Sequence, residues 1–296
     1  MISQNNAYAP VHYDNRRYYP IPEIGEDVQF PSVTTILDAL IAKPGLRQWM
    51  ANITAEYAKE ELIEKLRSGD LTLEDVQLMD TKQFVREAKM AHKAKSEEAK
   101  DIGLRVHDFC NTLFRRLIEL PSQTLKLDCD KDILEPCSAV VEWIHTNDVR
   151  PVELESRIWS EDFGGYGGRL DLVAFVNKKF LTLEIKTAKD IYDEYTLQTA
   201  AYDHGFEERN KGQYTDGIAI LRLDKEKGFP EFYEYTKEQR DDFLEEFGYW
   251  CTIWHLRNDR TKREREEKKK ERERLKELRK DLPKKPRKKL KEDPIP

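Results

Sequence analysis

Residues 179–186 (KFLTLEIK) alternate in polarity, with Leu181, Leu183 and Ile185 on one side and Thr182, Glu184 and Lys186 on the other. A repeat of two predicts a β-strand with two distinct faces. Ahead of it, the glycine-rich stretch EDFGGYGGRLD predicts a turn leading into a strand that carries Asp171, and Asn177 and Lys178 predict a short turn between the two strands. Upstream, PVELESRIWS (151–160) alternates as a first strand, which sets Glu153 and Glu155 opposite Val152, Leu154 and Ile158. Downstream, Gln198 and Tyr202 stand at i,i+4 on a predicted helix, one turn apart on one face. An apolar strand, GIAILRL (217–223), and EFYEY (231–235) follow, then a helix over roughly 237–257. Its Phe243, Phe247, Trp250 and Trp254 recur at helical spacing and are expected to pack into a core.

The first hundred residues read differently. Residues 1–30, with Pro10, Pro20 and Pro22, predict an extended or irregular arm. The string PSVTT then opens a helix at Pro31, with Ser32 as its N-cap. The segment 52–69 and a second from about Thr81 to Glu98, rich in Lys, Glu and Ala, predict a helical subdomain. A break is expected near Asp101–Gly103. Beyond it, a helix presents Ile102, Val106, Phe109, Cys110, Leu113 and Leu117 as an apolar stripe, with His107 at its margin. A lone histidine there is either a half-buried packing residue or a ligand. The chain thus divides into an arm and helical subdomain (1–100), an α/β core (101–258) and a charged tail (259–296).

Composition sharpens the picture in two places. The net charge of −6 over 296 residues conceals an asymmetry, because residues 261–296 hold 17 Lys/Arg against 9 Asp/Glu. The tail is therefore +8 and the rest −14. The tail predicts a solvated charged helix and then a disordered basic end past Pro283 and Pro286. No apolar run approaches the roughly 18 residues of a membrane span, and the N-terminus shows neither an apolar signal core nor an Arg/Ser-rich presequence, so a cytoplasmic protein is expected. The cysteines Cys110, Cys129, Cys137 and Cys251 are scattered without a C-x-x-C pair, as in reduced cytosolic proteins.

The chemistry lies in Asp171, Glu184 and Lys186. An E-x-K tripeptide alone is most often a solvated face. On adjacent buried strands, however, an acid pair and a lysine cost free energy unless each charge finds a partner or a metal. A divalent cation between Asp171 and Glu184, with Lys186 beside it, removes that cost and would suit hydrolysis of phosphodiesters. The GGYGG turn is no phosphate-binding loop, because it lacks the G-K-[ST] ending and the following helix.

The order of parts resembles the PD-(D/E)XK nuclease superfamily, and the trailing Q-x-x-x-Y (Gln198, Tyr202) resembles its RecB-type exonuclease branch. PSVTT followed by Trp49 is similar to the N-terminal part of phage and mitochondrial-genome-maintenance-type exonucleases of that branch. The resemblance covers residues 101–223 well and 31–50 loosely; the proline of the motif name is absent. It implies a restriction-endonuclease-like core, a mixed central sheet flanked by helices. It implies His107, Asp171, Glu184 and the carbonyl of Ile185 as ligands of Mg²⁺ or Mn²⁺, with Lys186 as the catalytic lysine. Gln198 and Tyr202 would hold DNA or the lysine, Ser32, Thr34 and Thr35 would contact phosphate, and Glu155 and Arg169 are further candidates at the site. No iron–sulfur cluster is expected, because only Cys251 follows the motifs. The implied activity is a metal-dependent DNA exonuclease, bacterial or phage-encoded, acting on ends or single strands in recombination, repair or replication. Two alternatives stay open: a structure-specific or restriction-like endonuclease on the same core, and a catalytically inactive DNA-binding module.

Overall fold

The computed structural model describes residues 9–14, 16–119, 129–225 and 228–280. Where the sequence predicts an extended or irregular arm, the extended strands β1 (Val11–Tyr13), β2 (Arg16–Pro20) and β3 (Gln29–Pro31) pair antiparallel into a small sheet. The reason is non-local. Tyr19 and Ile21 are buried, and Ser32 bridges to Gly167, where an added Cβ would come within 3.0 Å of Tyr19 Cβ. A glycine at 167 lets this sheet settle onto the core.

Helix α1 (Val33–Leu40) starts at the expected N-cap, since Ser32 accepts the Thr35 N–H. Helix α2 (Pro44–Ala58) has proline in its first turn and runs through a π-helical segment (Lys59–Glu64) into α3 (Lys65–Ser68), which ends at Gly69 with φ +82°. A reciprocal Thr72–Asp75 capping box starts α4 (Leu73–Leu78). Helix α5 (Thr81–Glu119) then continues without interruption for 39 residues, so the expected break near Asp101–Gly103 is absent and the 100/101 boundary falls inside it. One glycine costs a helix interior about 1 kcal/mol. The stripe Ile102, Val106, Cys110 and Leu113, packed on the sheet, outweighs that.

The central sheet follows α6 (Leu134–Thr146) and consists of β4 (Val149–Ser160), β5 (Tyr166–Val176), β6 (Lys179–Lys186), β7 (Gly217–Leu223) and β8 (Pro230–Thr236), hydrogen-bonded in that order. It is mixed: β6 and β7 run parallel and the other pairs antiparallel. The β5–β6 hairpin turns on Asn177 and Lys178, both at positive φ (50° and 75°), the pattern of a tight primed turn. The parallel pair needs a crossover, which α7 (Asp193–Arg209) supplies.

Helices α5 and α6 cover one face, where Leu181, Leu183 and Ile185 of β6 join Val106, Cys110, Val140 and Trp143. Helix α7 covers the other, where Thr182 bonds Asp203 and Glu184 bonds Gln198. Strand β4 departs from the expected alternation. A register shift between Pro151 and Glu153 leaves Val152 47% exposed instead of beside Leu154 and Ile158.

By its contacts the chain divides into Met1–Cys251 and Thr252–Pro296. Helix α8 (Lys237–Lys280) begins in the first unit, where Phe243 and Phe247 pack edge-on against Tyr235 and Tyr166, as the core reading of that stripe expects. In the second unit Trp254 is buried, and from residue 259 through 278 the helix is charged and exposed. Its basic end, with Pro283 and Pro286, lies outside the described residues. No helix among the described residues is long and apolar enough to cross a membrane.

Candidate active site

The site forms where a ladder stops. Strands β5 and β6 pair from Val176–Lys179 to Leu172–Leu183 and no further, whereas β6 and β7 stay paired as far as Lys186–Arg222. At the end of the β5–β6 ladder the Asp171 carboxylate replaces a backbone carbonyl, accepting the Ile185 N–H through Oδ2 at 2.8 Å. Asp171 therefore sits in the opening between the strands, and Glu184 and Lys186 continue along β6 beside it.

Glu184 is only 4% exposed. Its Oε1 accepts from Lys186 Nζ at 2.8 Å and from Gln198 Nε2 at 2.7 Å, while its Oε2 is buried with no partner. Lys186 also donates to Gln198 Oε1 at 3.1 Å and stands 4.6 Å from the centre of the Tyr195 ring, a cation–π contact. The second Gln198 N–H goes to the Tyr202 hydroxyl at 3.2 Å. Tyr202 lies against Gly168, where any Cβ would overlap the ring.

Two further elements reach Asp171. Helix α5 brings His107, whose Nδ1 lies 3.5 Å from Asp171 Oδ1 and whose side chain keeps 30% of its surface open. Strand β4 brings Glu155, held at φ +49°, an uncommon conformation for a side chain of this type. One ligand atom each from His107, Glu155 and Asp171 lies within 4.8 Å of the others.

The electrostatics are unbalanced. Burial, reinforced by the Asp171 charge, pushes Glu184 up to about 7 despite Lys186. Burial and Asp171 also raise Glu155. For Asp171 burial acts upward, but the His107 charge and hydrogen bond, Lys186 and the Ile185 N–H together hold it below the usual carboxylate range. For His107 burial opposes the imidazolium, and the Asp171 and Glu184 charges overcome it, raising the group to about 9. Three carboxylates thus crowd two cationic side chains. A bare buried oxygen on Glu184, two more acids and one imidazole fit a hard divalent cation that also accepts nitrogen, as Mg²⁺ and Mn²⁺ do.

Of the residues singled out in the sequence, His107, Asp171, Glu184, Lys186, Gln198 and Tyr202 gather here. Glu155, expected as a further candidate at the site, stands beside His107 and Asp171. Ile185, expected through its carbonyl, meets the site through its N–H. Arg169 is an exposed residue 3.7 Å from Glu155.

Ser32, Thr34 and Thr35 are otherwise engaged. Ser32 is 1% exposed, its Oγ caps α1 and bonds both threonine hydroxyls, and Thr35 Oγ1 ties to the backbone N–H and C=O of Arg17. The Thr35 hydroxyl thereby fastens β2 to α1, with Ser32 and Thr34 bonded behind it. Tyr195 was missed, although its position three residues before Gln198 on one helical face was a readable signal. Gly168 was missed too, because its role is the room it leaves for Tyr202. The chain matches no protein-family model and no curated protein.

Proposed function

We propose that this chain is a metal-dependent deoxyribonuclease with a restriction-endonuclease-like core, acting as an exonuclease on DNA ends or single strands. The observation that carries the reading is Glu184 Oε2, a buried carboxylate oxygen without a partner, beside a lysine that is itself held by two hydrogen bonds. A structural ion pair has no use for a bare oxygen, since leaving it unsatisfied costs about 1–3 kcal/mol or more. A ligand does.

Asp171, Glu184, His107 and Glu155 would hold the cation. Bound there, Mg²⁺ or Mn²⁺ would lower the pKa of a water and neutralise charge developing on the scissile phosphate. The remaining work belongs to the chain. Lys186, fixed by Gln198 and Glu184 and seated over the Tyr195 face, orients the attacking water and donates to the phosphate oxygens. Gln198, anchored by Tyr202, keeps Lys186 and Glu184 in register. The resemblance to the PD-(D/E)XK superfamily implies products with a 5′-phosphate and a 3′-hydroxyl. The His107 helix, three antiparallel strands, crossover helix and parallel strand support the fold assignment by their order.

The test is incubation of the purified protein with 5′- and 3′-labelled linear and circular DNA, single- and double-stranded, with Mg²⁺, Mn²⁺ or EDTA, beside Lys186→Ala. Metal-dependent shortening of linear DNA, lost in the variant, is the expected result. Cutting of circles would favour the endonuclease. DNA bound but never cut under any metal would overturn the enzyme and leave the binding module.

A further inference from the structure

An acidic body must still approach a polyanion, and α5 supplies the means. Lys82, Arg86, Lys89, Lys93 and Lys100 recur at spacings of four, three, four and seven. At 3.6 residues per turn these spacings keep all five within about 40° of one line along the helix. The same line continues through Leu104, 68% exposed, to His107 in the site. Neighbouring faces are spoken for. On one flank His92, Phe84, Glu87 and Lys95 meet Trp49, Tyr57 and Glu56 of α2. On the other lie the acids Glu97, Glu98, Asp101 and Asp108.

All five basic residues are exposed. Among the described residues none of the five lies in an ion pair, although most other basic side chains of α2–α5 do, such as Lys95 with Glu56 at 3.5 Å and Arg105 with Asp101 at 3.0 Å. Five like charges in a row repel one another, and among the described residues no ion pair compensates them. A bound polyanion would.

We propose that this line is a rail for the sugar–phosphate backbone of single-stranded DNA, guiding the strand along α5 to His107. The destination rests on the nuclease reading; the binding does not. From Lys82 to Lys100 the helix rises about 27 Å, and His107 stands about 10 Å further on at 1.5 Å per residue. That length spans about eight stacked nucleotides at 3.4 Å per phosphate. A single row of charge matches one strand. Leu104, between Lys100 and His107, gives the bases or sugars of an unpaired strand an apolar surface, consistent with grooves that track single strands.

The experiment uses the full chain carrying Lys82→Ala, Arg86→Ala, Lys89→Ala and Lys93→Ala, changes that a helix tolerates, and a second variant with Lys82→Arg, Lys89→Arg and Lys93→Arg. Binding of fluorescent oligothymidylates of about twenty and about four nucleotides is followed by anisotropy in EDTA, across roughly 50–200 mM salt. The alanine variant should lose at least about tenfold in affinity for the long oligomer, with a salt slope shallower by about 3, or 0.7 per lost phosphate contact. The short oligomer should bind alike, and the arginine variant should retain the wild-type slope. Coincident slopes for wild type and alanine variant overturn the rail, as does absence of wild-type binding. Cleavage in Mn²⁺ is read separately. A wild type that binds with the steep slope but never cleaves would sink the nuclease reading and leave the rail standing.

Discussion

Glu184→Gln tests the site without relying on activity. In the folded chain Glu184 holds its proton up to about pH 7, against an ordinary 4.5, because it is buried beside Asp171. Between those values the folded state binds more protons than the unfolded one, so stability falls as pH rises through the window. A shift of this size corresponds to about 3 kcal/mol once the group is fully ionised in both states, near pH 8, and to less than about 1 kcal/mol near pH 5. Glutamine mimics the protonated acid: its Oε1 still accepts from Lys186 and Gln198, and its amide carries no charge to repel Asp171.

In EDTA the variant should therefore match wild type at low pH and exceed it at high pH. For a domain of this size about 3 kcal/mol corresponds to a Tm difference of roughly 6–12 °C. Thermal denaturation followed by circular dichroism at both pH values, with and without Mn²⁺, reads this directly. Mn²⁺ should raise the wild-type Tm at the higher pH and leave Glu184→Gln nearly unmoved, because ligand binding stabilises only the state that holds the ligand. A variant less stable than wild type at high pH would refute the reasoning, since Glu184 would then be the counter-ion Lys186 requires. Undiminished Mn²⁺ stabilisation would refute it from the other side.

Gly168→Ala should cost about 1–3 kcal/mol by overpacking, since its methyl overlaps the Tyr202 ring; urea denaturation measures that, and DNA cleavage should fall further than stability because Tyr202 anchors Gln198. Asp203→Ala should destabilise by about 3–5 kcal/mol on the same assay, because fully buried Asp203 accepts from Thr182, Thr215, Lys237 and Arg240, and the last is itself buried. Ser32→Ala should lose about 0.5–2 kcal/mol as a lost N-cap while leaving oligonucleotide affinity unchanged; a large affinity loss at intact stability would instead support the phosphate-contact role.

What could be read in the sequence was whatever one element contains by itself. The two-residue alternation of β6 placed Glu184 and Lys186 on one face, and the four-residue spacing on α7 placed Gln198 above Tyr202, because both periodicities are fixed by backbone geometry alone. Relations between elements were less legible. The break expected at Gly103 follows from local propensity, and it fails because Val106 and Cys110 are bound into a core whose other half lies some seventy residues later. The arm at the N-terminus is a sheet because Gly167, far along the chain, has no side chain where Tyr19 needs room. Glu155 is the sharpest case. Its place beside Asp171 and His107 depends on a register shift in β4 and a positive φ at a residue that rarely adopts one. No periodicity encodes that combination. Backbone held in a sparsely populated conformation persists only where its surroundings over-determine it, and such conformations cluster at functional sites. The departure from pattern at Glu155 therefore argues for the same cation as the bare oxygen on Glu184. One is a strained backbone that aims a carboxylate, the other a buried carboxylate left unpaired, and both lie beside Asp171.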